Sequence, residues 1–149
     1  LYFMADDGSN GYELWKTDGS EAGTVLVKDI NPGPSDSFRT IYVGGKPWFT
    51  VFKGALYFAA YSGSSGYELW KSDGTAVGTV MVKDINSGAN SSSPYSFRPF
   101  NDALLFSAND GVHGVELWTT DGTSAGTFMV KDINPNDGPI GSSYPYLGW

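Results

Sequence analysis

Side chains able to do chemistry recur at fixed spacing along these 149 residues. Tryptophan stands at 15, 70 and 118, each two residues after a glutamate, Glu13, Glu68 and Glu116. An indole face packs on the C–H face of a pyranose, and a carboxylate accepts from sugar hydroxyls, so this combination would serve a carbohydrate. Three residues past each tryptophan comes an Asp-Gly turn at Asp18, Asp73 and Asp121, and a lysine follows each turn at Lys28, Lys83 and Lys131. Outside this pattern lie two more candidate stacking aromatics, Trp48 and Tyr144. The acidic turns Asp6-Asp7-Gly8 and Asn109-Asp110-Gly111 offer hard oxygen ligands, and Ca²⁺ is the ion that Asp6, Asp7 and Asp110 suit.

Each of these residues also has a plain structural use. A tryptophan fills the space between two sheets as readily as it holds a sugar. If Thr17 faces Thr24 across a hairpin, Trp15 faces Leu26, Leu14 faces Val27 and Glu13 faces Lys28. The same register pairs Glu68 with Lys83 and Glu116 with Lys131, cross-strand ion pairs of about 0.2–1 kcal/mol each. An aspartate in an Asp-Gly turn accepts N–H bonds from its own turn. The middle unit has Tyr61-Ser62 where the first and third have an acidic turn, which breaks the calcium pattern. The lone His113 sits in a turn, where a solvated side chain is expected, and Asp36, Asp102 and Asp137 are scattered. No nucleophile elbow, HExxH or phosphate-cradling glycine loop occurs, and no carboxylate pair has a reason to be paired. The expectation is therefore a protein that is not an enzyme and needs no organic cofactor.

The elements that position these residues are three copies of one unit. Gly11–Gly33, Gly66–Gly88 and Gly114–Asn136 share 13 identical positions in a 23-residue window, at offsets of 55 and 48 residues. Leu1-Tyr2-Phe3, Leu56-Tyr57-Phe58 and Leu104-Leu105-Phe106 precede them at the same offsets. With 20 Gly and 8 Pro interrupting a chain that is 15% aromatic, helices of ordinary length have no room and short strands do. Each unit parses into four strands: Ser37–Val43 or Tyr95–Phe100, then Ala55–Tyr61 or Ala103–Ala108, then the Glu-Leu-Trp segment, then the Thr-Val-Leu-Val-Lys-Asp-Ile segment. Four short antiparallel strands every ~40–50 residues predict an all-β, β-propeller-like fold of three four-stranded blades. The blades cover about 1–33, 37–88 and 93–136, with an insertion at 40–53. The run from Ser142 to Trp149 parallels the start of the third unit and would supply the strand that the first unit lacks.

These motifs resemble the ELWxxDGT tandem repeats of large secreted and cell-surface bacterial proteins, whose units read roughly LYF.A.DG..G.ELW.TDGT..GT..VKDINPG. The resemblance covers most of the chain and departs at Tyr61-Ser62, at Ser20 and in the 40–53 insertion. It implies propeller-like architecture and an extracellular or cell-surface setting, with no settled activity attached.

Charge and hydropathy narrow the partners. Nine Lys+Arg against 16 Asp+Glu give −7, so no basic footprint favours nucleic acid. No apolar run approaches the ~20 residues of a membrane span. There is no cysteine for disulfides or thiolate metal sites. Two function classes follow: a binding or adhesion module for a glycan or cell-surface polymer, and a structural scaffold or assembly unit of a surface protein or filament. A fragment of a propeller glycoside hydrolase is the third and weakest. Since propellers take about four to eight blades, three predict either contact with further repeats of a longer chain or a homo-oligomer, two copies making six blades.

Overall fold

The computed structural model describes residues 1–38, 49–135, 141–145 and 147. Among them the chain forms eleven β-strands and no helix. The strands make three antiparallel sheets in which sequential strands are neighbours. The first sheet holds β1 (Tyr2–Asp6), β2 (Tyr12–Lys16) and β3 (Val25–Lys28). The second holds β4 (Thr50–Phe52), β5 (Ala55–Tyr61), β6 (Tyr67–Ser72) and β7 (Val80–Lys83). The third holds β8 (Tyr95–Phe100), β9 (Ala103–Asn109), β10 (Val115–Thr120) and β11 (Phe128–Lys131).

The opening strand of the second sheet lies where the sequence predicts an insertion. Thr50–Phe52 pairs with β5, Phe52 opposite Ala55 and Thr50 opposite Tyr57. Its cause is the two-residue turn Lys53-Gly54, with φ of 48° and 79°. That type I′ geometry returns the chain directly into an antiparallel partner. Ser37 and Phe38, expected to open this strand, are buried outside any strand. Residues 39–48, including Trp48 and most of the expected insertion, lie outside the described residues.

A second correction concerns the register of the Glu-Leu-Trp strand with the strand that follows it. Trp15 does stand opposite Leu26, as predicted, but Leu14 stands opposite Lys28 rather than Val27. The register shifts by one residue between Leu14 and Trp15, and likewise between Leu69 and Trp70 and between Leu117 and Trp118. This β-bulge places two residues opposite one and re-aims the side chains beyond it. Lys28, Lys83 and Lys131 therefore oppose Leu14, Leu69 and Leu117, and the expected Glu13–Lys28, Glu68–Lys83 and Glu116–Lys131 pairs do not form.

Side-chain alternation gives each sheet two apolar faces. Leu56, Phe58, Ala60 and Trp70 of the second sheet pack on Leu14, Val27 and Ile30 of the first unit. Its opposite face, with Tyr57, Leu69 and Val82, packs on Leu104, Phe106, Ala108 and Trp118 of the third. Every contact thus joins a leucine face to the tryptophan face of the next sheet. Each large side chain buried there contributes on the order of 1.5–3 kcal/mol. The middle sheet is covered on both sides, which is why β5 reads as an almost unbroken apolar run.

Candidate functional site

The three glutamates are buried at the joints between units. Glu68 accepts from the Ile85 amide at 2.8 Å, the Ser92 amide at 2.8 Å and the Ser92 hydroxyl at 2.5 Å. Glu13 accepts from the Ile30 amide at 3.0 Å and from the Ser37 hydroxyl. Glu116 accepts from the Ile133 amide at 3.1 Å and from the Ser143 amide and hydroxyl at 3.2 and 2.8 Å. Each carboxylate therefore ties the exit of its own sheet to the segment leading onward. Burial pushes Glu13 and Glu68 above the usual carboxylate range, against the opposing pull of the serine and isoleucine donors. The backbone passes so close at this joint that a Cβ on Gly66, at φ +66°, would lie 2.0 Å from the Asn90 carbonyl oxygen.

The tryptophans occupy the joints as well. Trp70 and Trp118 are buried, whereas Trp15 is half-buried with Phe3 6.4 Å away across the strand pair. None of the three indole N–H groups has a hydrogen-bond partner among the described residues. Their value at Trp70 and Trp118 is volume. The lysines, freed from the glutamates by the bulge, reach across instead. Lys28 donates to the Thr79 carbonyl at 2.8 Å and Lys83 to the Thr127 carbonyl at 2.6 Å. Lys16 and Lys71 reach the Gly74 and Gly122 carbonyls, both at 2.8 Å.

The turn aspartates behave as turn residues. Asp18, Asp73 and Asp121 accept from the amides of Ser20, Thr75 and Thr123 at 2.8–2.9 Å. The hydroxyls of those same residues hold the three carboxyls below their ordinary range, with the amides adding to the effect. In the acidic turns, Asp6 accepts from the Gly8 amide and Asp7 from the amides of Ser9 and Asn10 and the Asn10 side chain. Asp110 accepts from the amides of Val112 and His113. Among the described residues no group of three or more His, Cys, Asp or Glu is placed to hold a metal.

His113 keeps the solvent exposure expected of a turn side chain, with 39% of its side chain accessible, and it also has a partner. Its Nδ1 lies 2.7 Å from Asp110 Oδ2. The hydrogen bond and the charge of Asp110 raise the imidazole above its ordinary value. Burial pushes Asp110 up, but the amides and ring that it faces outweigh this and leave it below the usual range. The repeat carried a signal for this pair. Asp7 and Asn10 occupy the same two places in the first unit and are hydrogen-bonded at 2.7 Å.

Of the remaining candidates, Asp36 accepts from the Tyr12 amide and the Asp102 carbonyl accepts from Lys53, while Tyr144 is exposed. Trp48 and Asp137 lie outside the described residues. Asp29, Asp84 and Asp132, which the sequence reading passed over, each bury an Oδ1 with no partner among the described residues, and Asp29 and Asp84 add repulsion that raises Glu13 and Glu68. A cleft of about 440 Å³ between the second and third units gathers Lys53, Lys71, Asp73 and Asp121. Its aspartates serve their own turns, and its lysines donate to Asp102 and Gly122. No family model, curated protein or solved structure matches the chain.

Proposed function

We propose that this chain is a non-catalytic architectural module, a set of propeller blades of the ELWxxDGT type belonging to an extracellular or cell-surface repeat protein. One observation carries the reading: Glu13, Glu68 and Glu116 are enclosed by backbone and serine donors, Trp70 and Trp118 fill the junctions between sheets, and Lys28 and Lys83 reach carbonyls of the next sheet. A glycosidase needs two accessible carboxyl groups across a scissile bond, about 5–9.5 Å apart. Glu13, Glu68 and Glu116 are instead surrounded by backbone and serine donors.

A second reading, a glycan-binding or adhesion module, is favoured by the half-buried Trp15 beside Phe3 and by the exposed Tyr144. A glycan array with intrinsic tryptophan fluorescence titration separates the two. The architectural reading expects no saturable binding. Saturable binding that disappears in Trp15→Ala or Tyr144→Ala overturns it in favour of the second.

A further inference from the structure

We infer that the cleft between the second and third units binds a small zwitterion with an apolar side chain, a free α-amino acid such as leucine. This goes beyond the architectural reading and stands apart from it. The cleft, of about 440 Å³, gathers both signs of charge beside apolar surface: Lys53 and Lys71, Asp73 and Asp121, Val77 and Val80. Its volume lies within the range of small-molecule sites.

Two residues of this cleft depart from the repeat, and packing within the chain accounts for neither. Val77 stands where the first and third units have Ala22 and Ala125. It is 90% exposed, so its further methyl carbons bury almost nothing within the chain. Lys53 opens the two-residue turn before β5, in the place that Asn101 takes before β9. Both are left-handed, at φ of 48° and 53°. Asparagine is among the side chains that adopt that conformation readily and lysine is not. What lysine brings there is an ammonium at the cleft.

Tyr57 supplies an independent observation. It is only 3% exposed, and its hydroxyl stands against Gly122 on the cleft wall, where an added Cβ would lie 2.3 Å from it. That hydroxyl has no hydrogen-bond partner among the described residues, although a buried phenol ordinarily finds one.

The charged groups have capacity to spare. Each ammonium carries three N–H bonds and uses one, Lys53 on the Asp102 carbonyl and Lys71 on the Gly122 carbonyl. Asp73 and Asp121 receive their turn donors on Oδ1 and leave Oδ2 open. The cleft therefore presents unused donors and unused acceptors together, with two charges of each sign. A carboxylate and an ammonium on one small molecule answer both sets at once. A simple anion or amine answers one set and is repelled by the other. An apolar side chain on the same molecule covers Val77 and Val80.

Titration of the 149-residue chain with L-leucine, followed by amide NMR and calorimetry, tests this. Saturable binding is expected, with the Gly78 and Gly122 amides shifting. Isocaproate, which lacks the ammonium, and isopentylamine, which lacks the carboxylate, should each bind at least about tenfold more weakly. The variant with both Lys53→Asn and Val77→Ala restores the residues of the other units at exposed positions, and should keep the wild-type circular dichroism. It should bind leucine at least about tenfold more weakly, and Tyr57→Phe about fivefold more weakly. No saturation by about 20 mM leucine, an analogue that binds as tightly, or undiminished binding in either variant overturns the inference. None of these outcomes touches the architectural reading, which rests on the joints. Glycan binding lost in Trp15→Ala removes that reading and leaves the cleft unaffected.

Discussion

The Lys28 ammonium and the Thr79 carbonyl oxygen, 2.8 Å apart, join the first sheet to the second, and the same ammonium lies 5.9 Å from the centroid of the Trp70 ring. One side chain thus satisfies a carbonyl at the sheet junction while its charge rests on the aromatic face that fills it. Lys83 repeats the first part of this arrangement toward Thr127. A charged hydrogen bond of this kind contributes roughly 1.5–3 kcal/mol, toward the low end where water reaches it. Lys28→Met and Lys83→Met should each lower stability by about 1–2 kcal/mol in urea unfolding. Lys131→Met, at an exposed lysine with no such carbonyl contact among the described residues, should change stability by no more than about 0.5 kcal/mol.

Both Glu68 oxygens accept hydrogen bonds, so Glu68→Gln turns one accepting oxygen into an NH₂ group opposed to an N–H or O–H. The expected cost at neutral pH is about 2–4 kcal/mol, read from denaturant midpoints. The pH dependence has a definite sign. Burial raises Glu13 and Glu68 above their ordinary 4.5, so the folded state binds their protons more tightly than the unfolded chain. Their favourable contribution is complete below pH 4.5 and is lost as pH rises through the native values. Glu68→Gln should flatten that fall.

The Asp110–His113 contact makes the imidazole a reporter. Its raised value means that, while Asp110 is ionised, the contribution of the pair is complete below 6.5 and is lost as pH rises through the native value of His113. The NMR titration midpoint of His113 should lie above 6.5 and fall back toward it in Asp110→Asn. An unchanged midpoint in that variant would refute the assignment of the shift to Asp110.

Gly66 and Gly88 form a matched pair for the backbone at the joint. Both have positive φ, +66° and +87°, but a Cβ at Gly88 meets nothing within 4 Å while one at Gly66 meets the Asn90 carbonyl oxygen at 2.0 Å. Gly88→Ala should cost only the left-handed strain, about 1–2 kcal/mol. Gly66→Ala must also push two backbone segments apart and should cost at least about 2 kcal/mol more, seen as the larger drop in melting temperature.

Filling the joint by volume alone gives the last expectation. Trp70→Ala should destabilise by about 3–5 kcal/mol, while Trp70→Phe, which removes an indole N–H that has no partner, should cost much less. Comparable losses from the two substitutions would mean that the N–H has an acceptor after all.

Much of this arrangement is local, and local features were legible. The pairing of Trp15 with Leu26 follows from period-two alternation within one hairpin. Asp18, Asp73 and Asp121 bond their own turns, two residues away, as Asp-Gly sequences do. The Glu13–Lys28 pairing failed because a one-residue bulge leaves no mark on the hydrophobic pattern: Val27 is apolar whether it faces Leu14 or stands unpaired. The opening strand of the second unit was misplaced because Thr50–Phe52 lies in the stretch that departs from the repeat, where internal comparison gives no guide.

The repeated letters alone determined that there are three like units, that they are sheets, and where their turns fall, because strand alternation and turn chemistry act over a few residues. Which neighbour each repeated side chain serves within the array was decided only in three dimensions. Glu68 reaches Ser92 across 24 residues and Lys28 reaches Thr79 across 51, distances over which no periodicity carries information. The difference between a lysine paired with its own glutamate and one that bridges two sheets is a single extra residue in a ladder, and packing against the next unit selects it.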